Sequence, residues 1–593
     1  MGHQGKCLFR IYVSNPDLVT FVDNPLTNFM KRRVIKVFFL IIFTVSSILV
    51  SAQSTTFVNP ILAGFYPDPS VLRVNSDYYL INSTFSYFPG IPVFHSKDLK
   101  NWRQIGNVIS RPSQMNFMGH RMTRGLFAPA IDYHNGLYYV TCTLIDKGGN
   151  FVVTAKDPAG PWSDPAWLRE VRGIDPSLFF DDGKAYIIYN SDAPDNKPTY
   201  PGHRTIRIYE FDPVNLKVVG EEKILVNGGV DISKKPVWIE GPHIMKKDDW
   251  YYLYAAEGGT SVNHSEVIFR SKSVWGPYVP FENNPVLTQR DLPADRKHPI
   301  TSAGHAQFVE GPDGKTYSIF LAVRPYENNY YNTGRETFIA PVEWKDGWPM
   351  VEHGEKEIQY SYQSKISEVP QKNARPQSGN FEYTIKFEKD LDPALLFLRT
   401  VDSGSFSINK AKGLTLKLKP ETCMELGNPS FIGKRQQHLY CQTETMLDFS
   451  AKADNEKAGL VIFQDEKHFY YLCKSRNGDK DVLQFFKSDP ATDVMNLVTQ
   501  VDLPANSKKL MLRIDAHGDT YSFHYALKPN AWVVVKDKVD ARFLSTQVAG
   551  GFIGCVFGMY ATSSGKEASN TASFSYLRYS GNDPMYNKAM LTK

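Results

Sequence analysis

Cysteine is scarce in this chain: six residues in 593, with no CxxC pair and no Cys/His spacing that would hold zinc. That excludes a disulfide-built scaffold and a zinc module. No Ser nucleophile elbow, His-Glu-x-x-His or P-loop is present, which removes the common serine hydrolase, zinc peptidase and nucleotide-binding readings. Long helical periodicity is missing as well. An excess of charge of one sign is almost absent from the body of the chain. The formal net charge is +5, but residues 1–52 carry six Lys/Arg against two Asp/Glu, leaving about +1 for the rest. Such a balance gives no basis for binding nucleic acid or anionic membranes.

Aromatics and turn formers are plentiful: 32 Tyr, 37 Phe, 9 Trp, 41 Gly and 37 Pro. They suit short strands joined by many turns, and equally sugar-facing surfaces. The length calls for two domains.

Near the start, Met30-Lys-Arg-Arg33 precedes an apolar run from Val34 to Val50 that ends in Ser51-Ala52-Gln53. A basic segment, an apolar segment and a small-residue exit make a secretory signal peptide, with cleavage near Ala52. The residues ahead of Met30 do not read as its basic segment, so Met30 is the expected start. The run is short for a membrane anchor. The next cysteine is Cys142, which argues against a lipoprotein. The expectation is a secreted or periplasmic protein with no membrane attachment after cleavage. Export permits a Cys423–Cys441 disulfide. The odd number of mature cysteines and their apolar surroundings favour buried free thiols for most of them.

One pattern recurs five times between residues 66 and 344. It opens at Tyr-Pro-Asp68-Pro-Ser, Leu-Phe-Ala128-Pro-Ala, Gly-Ile-Asp175-Pro-Ser, Trp-Ile-Glu240-Gly-Pro and Ala-Gly-His305-Ala-Gln. An aromatic strand centre follows each slot after 11 residues (Tyr79, Tyr139, Tyr186) or 12 (Tyr252, Tyr317). Repeats of this length, each with several short strands, are the mark of β-propeller blades. Equivalent innermost positions converge on the propeller axis, so Asp68, Asp175 and Glu240 should share one central pocket. A lone Asp-Pro is most often a turn. Two copies at equivalent positions with a Glu in a third make an active site the better reading. Carboxylates of different reach suit glycosidic bond cleavage, one as acid on the leaving oxygen and one as base on water. A third carboxylate nearby would raise the proton affinity of the acid.

Residues 57–350 thus read as a five-bladed propeller, 351–375 as a polar connection and 376–582 as a β-sandwich without the blade motif. The fold class is all-β throughout.

On these motifs, with Gly258-Gly-Thr260, His264, Gly304-His305-Ala and Thr333-Gly-Arg335-Glu-Thr337, the first domain resembles glycoside hydrolase family 43, the propeller β-xylosidases and α-L-arabinofuranosidases. The resemblance implies Asp68 as general base, Glu240 as general acid and Asp175 as the group that orients the acid and tunes its pKa. It implies inversion of anomeric configuration. Arg335 matches a substrate-binding arginine, with an ion pair to Glu336 as the structural alternative. His305 matches a histidine that contacts either the sugar or, through water, a calcium at the axis; no cofactor is required otherwise. His264 belongs to the same motif set. Phe85 and Tyr87 match an aromatic segment at the pocket edge, and Phe127 stands where a Trp is frequent; core packing is the alternative for these aromatics. The second domain resembles the concanavalin-like sandwich of family 43 β-xylosidases, on Phe431-Ile-Gly-Lys-Arg-Gln-Gln-His438, Ala458-Gly-Leu-Val-Ile-Phe463 and Gly550-Gly-Phe-Ile-Gly554. It is expected to pack on the propeller and wall the pocket, with polymer docking as the alternative. The expected substrate is a xylan-derived oligosaccharide cut from its end. An arabinofuranosidase, a bifunctional enzyme, an endo-acting enzyme and a non-catalytic sugar-binding propeller are the competing readings. The oligomeric state is left open.

Overall fold

The computed structural model describes residues 55–351 and 356–587. The signal peptide and the start at Met30 lie outside the described residues. Five antiparallel sheets follow one another, four of four strands and the fourth of five, each with its first four strands in chain order. Their first strands are Ser70–Val74, Ala130–His134, Ile174–Asp181, Glu240–Lys247 and Thr301–Glu310. Each first strand packs against those of the sheets before and after it, and the fifth packs against the first, which closes the ring of a five-bladed propeller. The aromatic repeat residues Tyr79, Tyr139, Tyr186, Tyr252 and Tyr317 all lie on the second strands. Tight hairpins link first to second strands. Asn135-Gly136 and Asp182-Gly183 turn with positive φ at both residues, the twist-matched conformation such pairs adopt without strain. Apolar residues fill the spaces between neighbouring blades, as with Val71, Leu80, Val309 and Ile319 between the first and fifth.

The slot residues stand where the ladder breaks. Pairing shifts between Ile174 and Ser177, between Glu240 and His243, and between Gly304 and Gln307. Asp68, Asp175 and His305 take positive φ, and in the fourth blade Gly241 takes it instead, one residue later. That one-residue offset accounts for the longer 12-residue interval after Glu240. Such irregularities re-aim a side chain out of the sheet, here towards the axis.

The C-terminal part is a sandwich of a nine-stranded and a six-stranded sheet. Leu460, Ile462, Leu512, Ile514, Phe523 and Phe557 are fully buried between them. The connection is tied down: Ser361–Ser364 pairs with Thr55–Val58. The two halves share hydrogen-bonded strands, Tyr87–Phe88 of the first blade pairing with Phe397–Leu398. Arg435 Nε donates to Phe65 O at 2.8 Å and Gln437 Nε2 to Ala63 O at 2.8 Å. Arg324 sits in a fully buried cluster, bonded to Glu336 at 2.6 Å and Asp583 at 2.6 Å. Cys142, Cys423, Cys441, Cys473 and Cys555 are all buried free thiols, so no Cys423–Cys441 bridge forms.

Candidate active site

The re-aimed slot residues open into a cavity of about 690 Å³ on the propeller axis. Asp68, Phe85, Phe127, Asp175, Glu240, His305 and Arg335 all line it. Asp68, locked between Pro67 and Pro69, is bound on both oxygens. Arg335 Nη1 lies 2.8 Å from Oδ1, and Ser83 Oγ donates to Oδ2 at 2.6 Å. His305 Nδ1 lies 3.7 Å from Oδ1. Burial alone would raise the Asp68 pKa, but the Arg335 guanidinium, His305 and the Ser83 hydroxyl hold it below the ordinary carboxylate value. Arg335 does not pair with its neighbour Glu336, whose carboxylate is taken by Arg324.

The other two carboxyls are pushed the opposite way. Burial, then the Asp68 charge, raises Glu240 to about 7. Burial, then Glu240 and Asp68, holds Asp175 well above its usual range. Asp175 Oδ2 accepts the backbone N–H of Gly241 at 3.2 Å, which anchors the peptide just after Glu240. The pocket therefore holds one carboxyl whose ionised form is favoured and two whose protonated forms are favoured, a separation set by environment.

Two expected residues lie elsewhere. Tyr87 is fully buried and lines no part of the cavity. Its strand pairs with Leu398, which turns the ring into a cluster with Phe65, Phe431 and Tyr560 at the domain junction. His264 is also buried behind the wall. Its Nδ1 lies 3.0 Å from Ser302 O, and its ring lies beneath Gly304, where a Cβ would come within 2.9 Å of it. Burial lowers the His264 pKa to about 4, so the ring is neutral.

The pocket also contains residues that the repeat pattern did not single out. Phe552, from the sandwich, stacks on Phe85 at 6.1 Å and meets Phe127 edge-on at 5.7 Å. The Arg335 guanidinium lies over the Phe552 ring at 5.5 Å. Its loop is held by a bond from Phe552 N to Thr123 Oγ1 at 2.8 Å. Gly551 has to be glycine there, since its φ is +74° and a Cβ would strike Thr123 Oγ1 at 2.2 Å. The Gly550-Gly551 pair ahead of Phe552 was the available signal. Trp238, Arg204 and Asp192 also line the cavity.

The donors near the axis do not fit a calcium bound directly by protein. Calcium takes six to eight oxygens, whereas His305 offers nitrogen and no group of three or more His, Cys, Asp or Glu among the described residues is placed to hold a metal.

Residues 57–349 match the family model of glycosyl hydrolases family 43. A second model, the beta xylosidase C-terminal concanavalin A-like domain, matches residues 384–580. A xylosidase/arabinosidase of Butyrivibrio fibrisolvens is 38% identical over 525 residues, 87% of this chain and 98% of that one. The chain belongs to glycosyl hydrolases family 43. Another family 43 relative, the non-reducing end alpha-L-arabinofuranosidase BoGH43B of Bacteroides ovatus, is 37% identical over 89% of this chain and 96% of its own. Among solved structures, a family 43 enzyme from a capybara gut metagenome superposes with a TM-score of 0.80 at 40% identity, over 86% of this chain and 96% of that one. A xylan beta-1,4-xylosidase from Bacillus halodurans does so with 0.79 at 30% identity, over 88% and 100%. Family 43 membership makes the chain a glycoside hydrolase with a carbohydrate substrate, and Asp68, Asp175 and Glu240 line one shared cavity.

Proposed function

We propose that this chain is an inverting exo-glycosidase that removes single terminal xylose residues from xylan-derived oligosaccharides. The observation that carries the reading is the opposed state of Asp68 and Glu240 across one walled pocket. Asp68, ionised, takes a proton from a water molecule as that water attacks the anomeric carbon. Glu240, protonated near neutrality, gives its proton to the departing oxygen as the glycosidic bond breaks. The water oxygen enters opposite the leaving group, so the sugar is released with inverted configuration. Asp175 positions Glu240 through the Gly241 peptide and, being neutral, adds no repulsion. Arg335 keeps Asp68 ionised and presents its donor fork to the sugar. His305, neutral because burial lowers its pKa, contacts the same sugar. A calcium at the axis would be held only through water, and no step above uses one.

Removal of one sugar at a time is supported by Phe552, which closes one side of the cavity from another domain. A second specificity has support too. The Butyrivibrio relative is named for both pentoses and the Bacteroides relative for arabinofuranose. Activity on α-L-arabinofuranosides beside that on β-xylosides is therefore part of the proposal. Export is proposed on the leader pattern from Met30 to Ala52.

Purified protein assayed side by side on aryl β-xylopyranoside and aryl α-L-arabinofuranoside tests the specificity. NMR of the first product from a disaccharide tests the stereochemistry. Hydrolysis of neither glycoside would reject the substrate assignment, and retained configuration would reject Asp68 as a base.

A further inference from the structure

The cavity lining holds two chemically different groups of residues. Asp68 pairs with Arg335, whose guanidinium lies over the rings of Phe85 and Phe552. Trp238 stands two residues before Glu240 and is backed by Arg204. Trp238 is 38% exposed, whereas Phe85 is 1% exposed. One face of the indole is backed by the Arg204 guanidinium, 4.7 Å from the ring centroid. Arg204 is itself fixed, with Nε and Nη2 donating to Asn190 Oδ1 at 3.0 and 2.6 Å and Nη1 paired with Asp192. The Asn190 amide also donates to Ile239 O, in the peptide just before Glu240. Asn190 thus braces both the cation behind the indole and the backbone of the carboxyl beside it. Trp238 is held at φ +52°, a strained value for a bulky residue, and its N–H donates to Gly202 O at 3.0 Å. A large apolar ring kept rigid, partly exposed and backed by a cation has lost its ordering entropy before any ligand arrives.

An acid that protonates the leaving oxygen must stand on the side of the departing group, because that oxygen joins the two sugars. We infer that Trp238 is the platform on which the leaving sugar stacks, so that it sets the preference for a saccharide leaving group over a small one. The inference rests on Glu240 acting as the acid in the proposed reaction. The C–H face of a pyranose packs on the open indole face, and the hydroxyls at its rim reach Asp192.

The test compares xylobiose with β-xylosyl fluoride, which carries no leaving sugar, in wild type, Trp238→Leu and Trp238→Phe. Thermal melts establish that each variant folds. Trp238→Leu should lower the ratio of kcat/KM for xylobiose to that for the fluoride by tenfold or more, mainly through KM on xylobiose. Trp238→Phe, which keeps a ring, should recover most of the ratio. An unchanged ratio in a folded Trp238→Leu protein overturns the inference. So does an equal loss on both substrates, which would mean that Trp238 only supports Glu240. A wild type inert on both substrates would reject the xylosidase assignment, and this inference with it.

Discussion

Arg335 Nη1 lies 2.8 Å from Asp68 Oδ1, inside a pocket where each side chain is only about 5% exposed. In such a setting the guanidinium decides whether the carboxylate stays charged. Replacing it should therefore change when the enzyme works as well as how tightly it holds sugar. In wild type, activity should fall as acid protonates Asp68, below the ordinary carboxylate pKa, and fall again as base ionises Glu240 near pH 7. In Arg335→Met, burial of Asp68 loses its largest offset, so the acid limb of the kcat/KM profile should move to higher pH. An acid limb that stays in place would contradict this coupling.

Asp68→Asn removes the charge that, after burial, does most to raise Glu240. The Glu240 carboxyl should then titrate below its wild-type value, while hydrolysis is lost by two to four orders of magnitude. Carboxyl infrared bands followed across pH would show this. An unmoved or raised Glu240 value would mean that burial acts alone.

Glu240→Gln is nearly isosteric and should fold normally. Cleavage of disaccharides should drop by about 10²–10⁴-fold, the usual worth of a positioned acid. Aryl glycosides with acidic phenols need less protonation and should lose much less. Equal losses on both substrate types would count against Glu240 as the proton donor.

Phe552→Ala opens the pocket wall and removes a ring from both Phe85 and Arg335. We expect kcat/KM on small glycosides to fall by about tenfold, in line with roughly 0.5–2 kcal/mol for such ring and cation contacts. A chain ending near Arg375 should fare worse. It loses the strand that pairs with Tyr87–Phe88 and exposes the cluster around Phe65, and it should be poorly soluble. A soluble, fully active truncated propeller would refute the wall.

Arg324→Met leaves Glu336 and Asp583 buried without their cation. Stability should fall by about 3–5 kcal/mol, the usual cost of breaking a buried charge cluster from one side. A calorimetric scan would record it. Because Asp583 lies at the end of the sandwich and Glu336 in the fifth blade, both halves should melt earlier together.

The propeller and its three carboxyls were legible because each repeat carries its own marker. A slot residue sits 11 or 12 residues before a second-strand tyrosine, and both belong to one blade. Tyr87 was misplaced because its motif straddles a boundary that local sequence does not display. Phe85 and Tyr87 are two residues apart, yet one faces the cavity and the other joins a strand from residue 397. Phe552 lies in a glycine-flanked segment, but its place beside Phe85 follows from the docking of a second domain. Trp238 precedes the slot instead of filling it, so the repeat pattern does not mark it. The longer interval after Glu240 was visible as a count, and only the displaced positive φ at Gly241 explains it.

The Tyr586 hydroxyl donates to the carbonyl of Asn59 at 2.9 Å, across 527 positions of sequence. With Phe552 standing in the pocket, this ties catalytic competence to the sandwich as well as to the propeller. A growing polypeptide completes all five blades and still lacks a wall of its active site until Phe552 emerges. Nonsense and frameshift products that stop between the fifth blade and Phe552 would therefore have an incomplete pocket, although they carry the full carboxyl triad.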